Sequence, residues 1–145
     1  MAQSPPEIAQ TICDTGCKKT KLQLGKMFVI AALAGAYIGF GAQLSTAVKV
    51  GLADKVGAGF ANFIGGAVFT VGLMLVVIAG AELFTGNNLI SLACCHKKAS
   101  FTGLLKNWGV VYIGNFVGSI VLALIVFGGF YASMPSGSPT ALANL

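Results

Sequence analysis

Charge is what this sequence has least of. Only 9% of its 145 residues are Asp, Glu, Lys or Arg, and 56% are hydrophobic, where soluble domains are about a quarter charged. In a soluble core, charges interrupt the apolar residues at helical or strand spacing. Here the interruptions vanish for about 20 residues at a time, which excludes an ordinary globular domain and points to the lipid bilayer as solvent. Arginine is absent, and the net charge of +5 comes from nine lysines set against Glu7, Asp14, Asp54 and Glu82. The lysines stand at the ends of apolar runs, with no basic stripe interleaved with aromatics. They read as topology signals, and no nucleic-acid partner is expected.

Other shortages narrow the chemistry. A membrane enzyme or redox subunit needs a nucleophile and base, a set of metal ligands or axial histidines. The spans offer Glu82 and no histidine, since His96 falls at the end of an apolar run beside Lys97 and Lys98; neither enzyme activity nor a cofactor is expected. Cys13, Cys17, Cys94 and Cys95 have no zinc spacing, so no metal site is expected and ordinary reduced thiols are. Residues 1 to 25 contain no apolar core long enough for a cleavable signal peptide, so the first span is expected to act as its own insertion signal.

What is present is an all-α membrane pattern with three spans. Residues 1–25 are expected to form a surface or amphipathic lead-in, with Ile8, Ile12 and Leu22 among lysines and other polar groups. A membrane unit is expected over 26–132. Its first span, about 27–48, matches the ~20 residues that cross ~30 Å of hydrocarbon. Gly35, Gly39 and Gly41 are read as flattening one face of it for close packing. The second apolar stretch, 61–95, would be about 50 Å long as one straight helix, too long for a single crossing. A break near 80–88 removes the excess, because Glu82, Thr85, Gly86, Asn87 and Asn88 put polar or helix-breaking groups amid apolar sequence. The third span, about 104–132, carries Gly114 and Gly118 in small-xxx-small spacing. Residues 133–145 are a small, polar, proline-bearing tail. Seven lysines flank one side of the spans (Lys18, Lys19, Lys21, Lys26, Lys97, Lys98 and Lys106) and two the other (Lys49 and Lys55), which predicts a cytoplasmic amino terminus and an extracytoplasmic tail.

The chemistry concentrates in Gly80-Ala81-Glu82-Leu83-Phe84-Thr85-Gly86-Asn87. A charge at mid-membrane costs at least ~2.5 kcal/mol, so Glu82 requires an offsetting partner. Backbone groups freed by a helix break can line a polar site, provided protein or water covers them. Leu83 and Phe84 beside the Thr85 hydroxyl suggest an apolar constriction with one hydrogen-bonding group, able to strip water from a small solute while orienting it. A kinked helix in which Glu82 is only a hydrogen-bonded structural group fits the same residues. Phe69 and Leu73, four residues apart, share a helix face and either extend an apolar lining or simply pack.

These residues, followed by Leu105-Lys106-Asn107-Trp108 and by Tyr112-Ile113-Gly114-Asn115-Phe116-Val117-Gly118, resemble the formate/nitrite transporter family of formate, nitrite and hydrosulfide channels. The resemblance covers nearly everything from Gly25 to Ala132. It implies half of an aquaporin-like six-helix protomer made of two inverted repeats, assembled as a pentamer in the cytoplasmic membrane with one pore per protomer. It also implies that Phe69, Leu73, Leu83 and Phe84 form pore constrictions. Thr85 would face a central histidine, and Glu82, Gly86 and Asn87 would belong to the broken-helix loop. That histidine lies in the family's second half, and His96 does not match it. Asn107 and Trp108 match the start of the third helix, in a structural role. For a half-length chain the resemblance leaves two arrangements, completion by a second three-helix piece or pairing with an inverted copy, and the lysine asymmetry disfavours the second. The expected function is passage of a small monovalent anion, formate first and then nitrite or hydrosulfide. A non-transporting structural subunit is the alternative from another class.

Overall fold

The computed structural model describes residues 4–131, and every regular element among them is helical. In chain order these are α1 Pro5–Thr20, α2 Leu24–Lys49, α3 Leu52–Val56, α4 Ala58–Ala79, α5 Phe84–Asn87, α6 Ile90–Cys95 and α7 Phe101–Val126, which widens into a π-helical end at Phe127–Tyr131. Three helices, α2, α4 and α7 with its extension, are long and apolar enough to cross a bilayer. The expected 133–145 tail lies outside the described residues.

The lead-in folds as the helix α1. Pro5 and Pro6 occupy the first turn of α1, where the missing N–H groups have no intrahelical partner to lose. The Glu7 carboxylate accepts from the Ser4 amide at 2.7 Å and from its hydroxyl at 2.8 Å. Lys18 and Lys19 sit in the last turn, where the helix dipole favours cations. Next to the end of α1, Ser100 caps α7 by accepting the Gly103 amide at 3.1 Å.

Helix α2 is the centre of the bundle. Ala31 lies beside Gly114, Ala32 beside Gly118 and Gly39 beside Leu122, so numbering rises together and α7 runs parallel to α2. Gly41 meets Gly72, and Lys49 meets Gly65, so α4 runs antiparallel. The glycines of α2 therefore serve two faces and not one as expected. Gly35 and Gly39 meet α7, while Gly41, two residues or about 200° further round, meets α4. A Cβ at Gly35 would collide with the backbone of Asn115 and one at Gly118 with that of Ala32; at Gly41 it would stand 2.7 Å from the Phe69 carbonyl oxygen. Backbones this close are the packing available where lipid removes the hydrophobic drive between helices.

The second crossing is interrupted. Gly80 takes a left-handed φ of 63°, the Gly80 amide bonds the Val77 carbonyl at 3.3 Å and the Ala81 amide bonds Val76 at 3.0 Å. This arrangement closes a helix end and favours glycine, which adopts it without a Cβ penalty. Residues 81–83 are non-helical before the short helices α5 and α6 resume the path. The interruption lies against Ile30 and Ala31 of α2 and against Asn115, which stands midway along the apolar helix Phe101–Gly129.

Candidate functional site at the helix break

A break at this depth exposes backbone donors and acceptors that lipid cannot satisfy. Asn115 supplies what the helix no longer does. Its Oδ1 accepts the Phe84 amide at 2.9 Å, and its Nδ2 donates to the Glu82 carbonyl at 2.9 Å and to the Ala31 carbonyl at 2.8 Å. The Glu82 amide in turn donates to the Ile30 carbonyl at 3.3 Å. One side chain of α7 thus ties α2 to the middle of the non-helical segment and to the start of α5.

The Glu82 carboxylate, 5% exposed, is neutralised from an unexpected direction. Lys19, near the end of α1, places Nζ 3.0 Å from Glu82 Oε2 and 2.8 Å from Asn87 Oδ1. Asn87 Nδ2 donates to the same Glu82 oxygen at 2.7 Å and to Asn107 Oδ1 at 2.8 Å. The Asn107 amide donates to the Lys19 carbonyl at 3.4 Å, and Trp108 Nε1 donates to the Asn87 carbonyl at 3.1 Å. Asn87 and Asn107 are fully buried, yet among the described residues no buried side-chain nitrogen or oxygen lacks a partner. A buried polar network is tolerable only when it is satisfied in this way.

The apolar parts of the site are held less evenly. Phe84 packs on the Met27, Ala31 and Val111 core, with Trp108 and Tyr112 edge-on at ring distances of 5.9 and 5.6 Å. Leu83 is half-buried next to it, whereas Thr85 and Gly86, on the first turn after the break, are exposed. Phe69 and Leu73 are exposed on α4, about 15 and 9 Å along the helix axis from Ala79. No hydrogen bond or ring contact among the described residues joins them to Leu83, Phe84 or Thr85. The candidate site is therefore the hydrogen-bonded loop Glu82 to Asn87, with Phe69 and Leu73 exposed on α4 apart from it.

Helix α1 is further tied to this region outside the spans. Asp14 pairs with Lys98 at 3.3 Å, and its carboxyl is held below the usual range by hydrogen bonds from Gln10 first and from Lys98 second. Glu7 is likewise lowered, by the Ser4 amide and then its hydroxyl. Among the described residues no group of three or more His, Cys, Asp or Glu side chains is arranged to hold a metal.

Lys19 and Asn115 were not expected here. Lys19 had been counted as a topology signal and Asn115 as part of a packing stretch. The signal for Lys19 was nonetheless available: Glu82 demands a cation, and no span interior contains one, so the partner had to come from a flanking segment.

The sequence has counterparts among known proteins. The sequence profile described as "Formate/nitrite transporter" matches residues 6–144. The chain belongs to the formate/nitrite transporter family. Among relatives, a probable formate transporter of Methanothermobacter thermautotrophicus is 46% identical over 124 residues, covering 83% of this chain and 45% of the relative. The formate channel BtFdhC of Bacillus thuringiensis is 41% identical over 120 residues, covering 82% and 46% respectively. The formate channel FocA of Escherichia coli K12 is 32% identical over 123 residues, covering 85% and 43%. The chain thus spans about half the length of the curated relatives it matches. As a formate/nitrite transporter family member with three membrane-crossing helices it is a membrane protein, and its broken second helix is the feature such a protein has to stabilise internally.

Proposed function

We propose that this three-helix unit forms one half of a channel for small monovalent anions, formate before nitrite or hydrosulfide, and that its role is transport and not catalysis. The observation that carries the reading is the exposed Thr85 hydroxyl at the helix break, next to Leu83 and Phe84 and backed by a satisfied ion-pair network. In this reading the loop Glu82, Gly86 and Asn87 keeps Thr85 at the pore. Leu83 and Phe84, with Leu73 and Phe69 of α4, form the apolar levels that strip water from the anion while Thr85 orients it. Lysines near the mouths raise the local anion concentration, and a proton supplied from the second half would neutralise a weak acid in transit, lowering the charge cost of the apolar levels.

Several features of the whole protein belong to the same proposal. The unit would be completed by a second three-helix piece into an aquaporin-like protomer, with pentameric assembly in the cytoplasmic membrane. The lysine-rich end would face the cytoplasm.

The test is anion flux into proteoliposomes, with formate, nitrite, hydrosulfide and chloride compared for this chain alone and with a complementary three-helix half. The expected result is formate flux without chloride flux only in the completed protein, reduced by Thr85→Val. No flux of any anion from a correctly assembled complex would overturn the transport reading and favour a structural subunit.

A further inference from the structure

The ion-pair network does not account for the four cysteines, all of which are free thiols. Two of them stand where α1 packs on α6. The two backbones nearly touch at Gly16: a Cβ there would stand 3.0 Å from the Ala93 Cβ and 3.4 Å from the Ile90 Cα. Gly16 and Ala93 are both buried, and each is followed directly by a cysteine, Cys17 and Cys94. Both of these thiols turn to the same short connection into α7. Cys17 Sγ donates to the Lys98 carbonyl at 2.9 Å and Cys94 Sγ to the Ser100 carbonyl at 3.7 Å.

Access separates the four. Cys13 is sealed at 2% exposure, while Cys17 and Cys94 are half-buried and reachable by a small reagent. Cys95 is exposed but adjacent to Cys94, and neighbouring Cα atoms ~3.8 Å apart fall short of the ~4.4–6.8 Å that a disulfide spans. Only Cys17 and Cys94 combine access with a place directly after the apposed Gly16 and Ala93.

We infer that Cys17 and Cys94 are a reversible thiol-modification site, joined as a disulfide by exchange with a low-molecular-weight disulfide. In the first step one thiolate attacks the reagent, forming a mixed disulfide and expelling one reagent thiolate. The second cysteine thiolate then displaces the other reagent thiolate and closes the Cys17–Cys94 bond. Two electrons pass to the reagent, and the two cysteine protons go to the departing thiolates. The new bond staples α1 to α6 across the chain segment that carries Glu82 and Asn87, fixing Lys19 in its ion pair. In a reducing compartment such a bond is transient, as sensing disulfides are and structural ones are not.

The test treats the full chain in detergent micelles with oxidised glutathione and maps its peptides without reduction. The expected product is a Cys17–Cys94 cross-linked peptide, lighter than the two separate peptides together by two hydrogen atoms and reversed by dithiothreitol. It should be lost in Cys17→Ser and in Cys94→Ser and retained in Cys13→Ser and Cys95→Ser. Amide exchange across residues 5–20 should slow on oxidation in the native chain but not in either of the first two variants. Stable glutathione adducts without a cross-link, or a bond pairing any other two cysteines, would overturn the inference, as would a cross-link that leaves exchange in α1 unchanged. Because peptide mapping and exchange do not depend on transport, failure here and failure of the channel reading remain distinguishable.

Discussion

The two interfaces of α2 solve opposite problems. Against α4 and the later part of α7, α2 meets the glycines Gly72 and Gly118, and the backbones approach until a single methyl group would clash. At the level of the break, the same helix meets polar side chains: Asn115 takes the Ala31 carbonyl, and the interrupted segment is held by hydrogen bonds and by the Lys19–Glu82 pair. The first interface works by removing side chains, the second by choosing ones whose every polar atom finds a partner. Dry packing keeps the helices together, and the polar region lets one of them stop in mid-bilayer without exposing its backbone to lipid.

The largest effect expected is on the polar side. Lys19→Met leaves the Glu82 carboxylate buried without its cation. Removal of one partner from a buried pair costs ~3–5 kcal/mol, and the low end, about 3 kcal/mol, applies because the Lys19 side chain keeps 27% exposure. The thermal unfolding midpoint in micelles should fall accordingly. The double change Lys19→Met with Glu82→Leu should recover most of the loss, since it removes the charge together with its partner. If the double variant is no better than the single, the pair is not what stabilises the break.

A smaller loss is expected on the dry side. Gly118→Ala drives a methyl group into the Ala32 backbone, an overpacking penalty of about 1–3 kcal/mol. Gly66→Ala, which meets nothing within 4 Å, should stay within about 0.5 kcal/mol of the parent in the same melting experiment. Equal responses at the two positions would mean that close backbone approach does not limit this interface.

The smallest effect concerns acid. Asp14 and Glu7 have folded-state pKa values below their ordinary ones, so their contributions are complete above the unfolded carboxylate range and fade as pH falls through the folded values. Below about pH 4, amide exchange across α1, corrected for its intrinsic pH dependence, should quicken. Asp14→Asn should blunt that response. A rise in protection of α1 on acidification would reverse the sign of the argument.

How far the sequence disclosed all this depends on the kind of signal. Three apolar helices with an interruption in the second were legible, because hydropathy and length report directly on a bilayer and Gly80, Glu82 and Asn87 stand out against it. The docking of α1 was not, since it rests on α6 and on the Glu82 pair, both remote in sequence. Assigning Gly35, Gly39 and Gly41 to one face failed for a local reason: a spacing of two in a helix turns a residue to nearly the opposite side. Asn115 was hidden because, between Gly114 and Phe116, its surroundings read as packing. Only the position of its side chain against an interrupted neighbour reveals the difference.

The sequence distances within the polar network also set an order of events. Lys19 is separated from Glu82 by 63 positions, and Asn115 from Phe84 by 31. When the ribosome has delivered residues 80–88, the cation that neutralises Glu82 already exists, but Asn107 and Asn115 have yet to be made. Until α7 is inserted, the Phe84 amide and the Glu82 carbonyl must rely on water or on the insertion machinery. The second crossing is therefore finished only by the third, and a nascent chain halted before Asn115 would carry a membrane segment it has no means of closing.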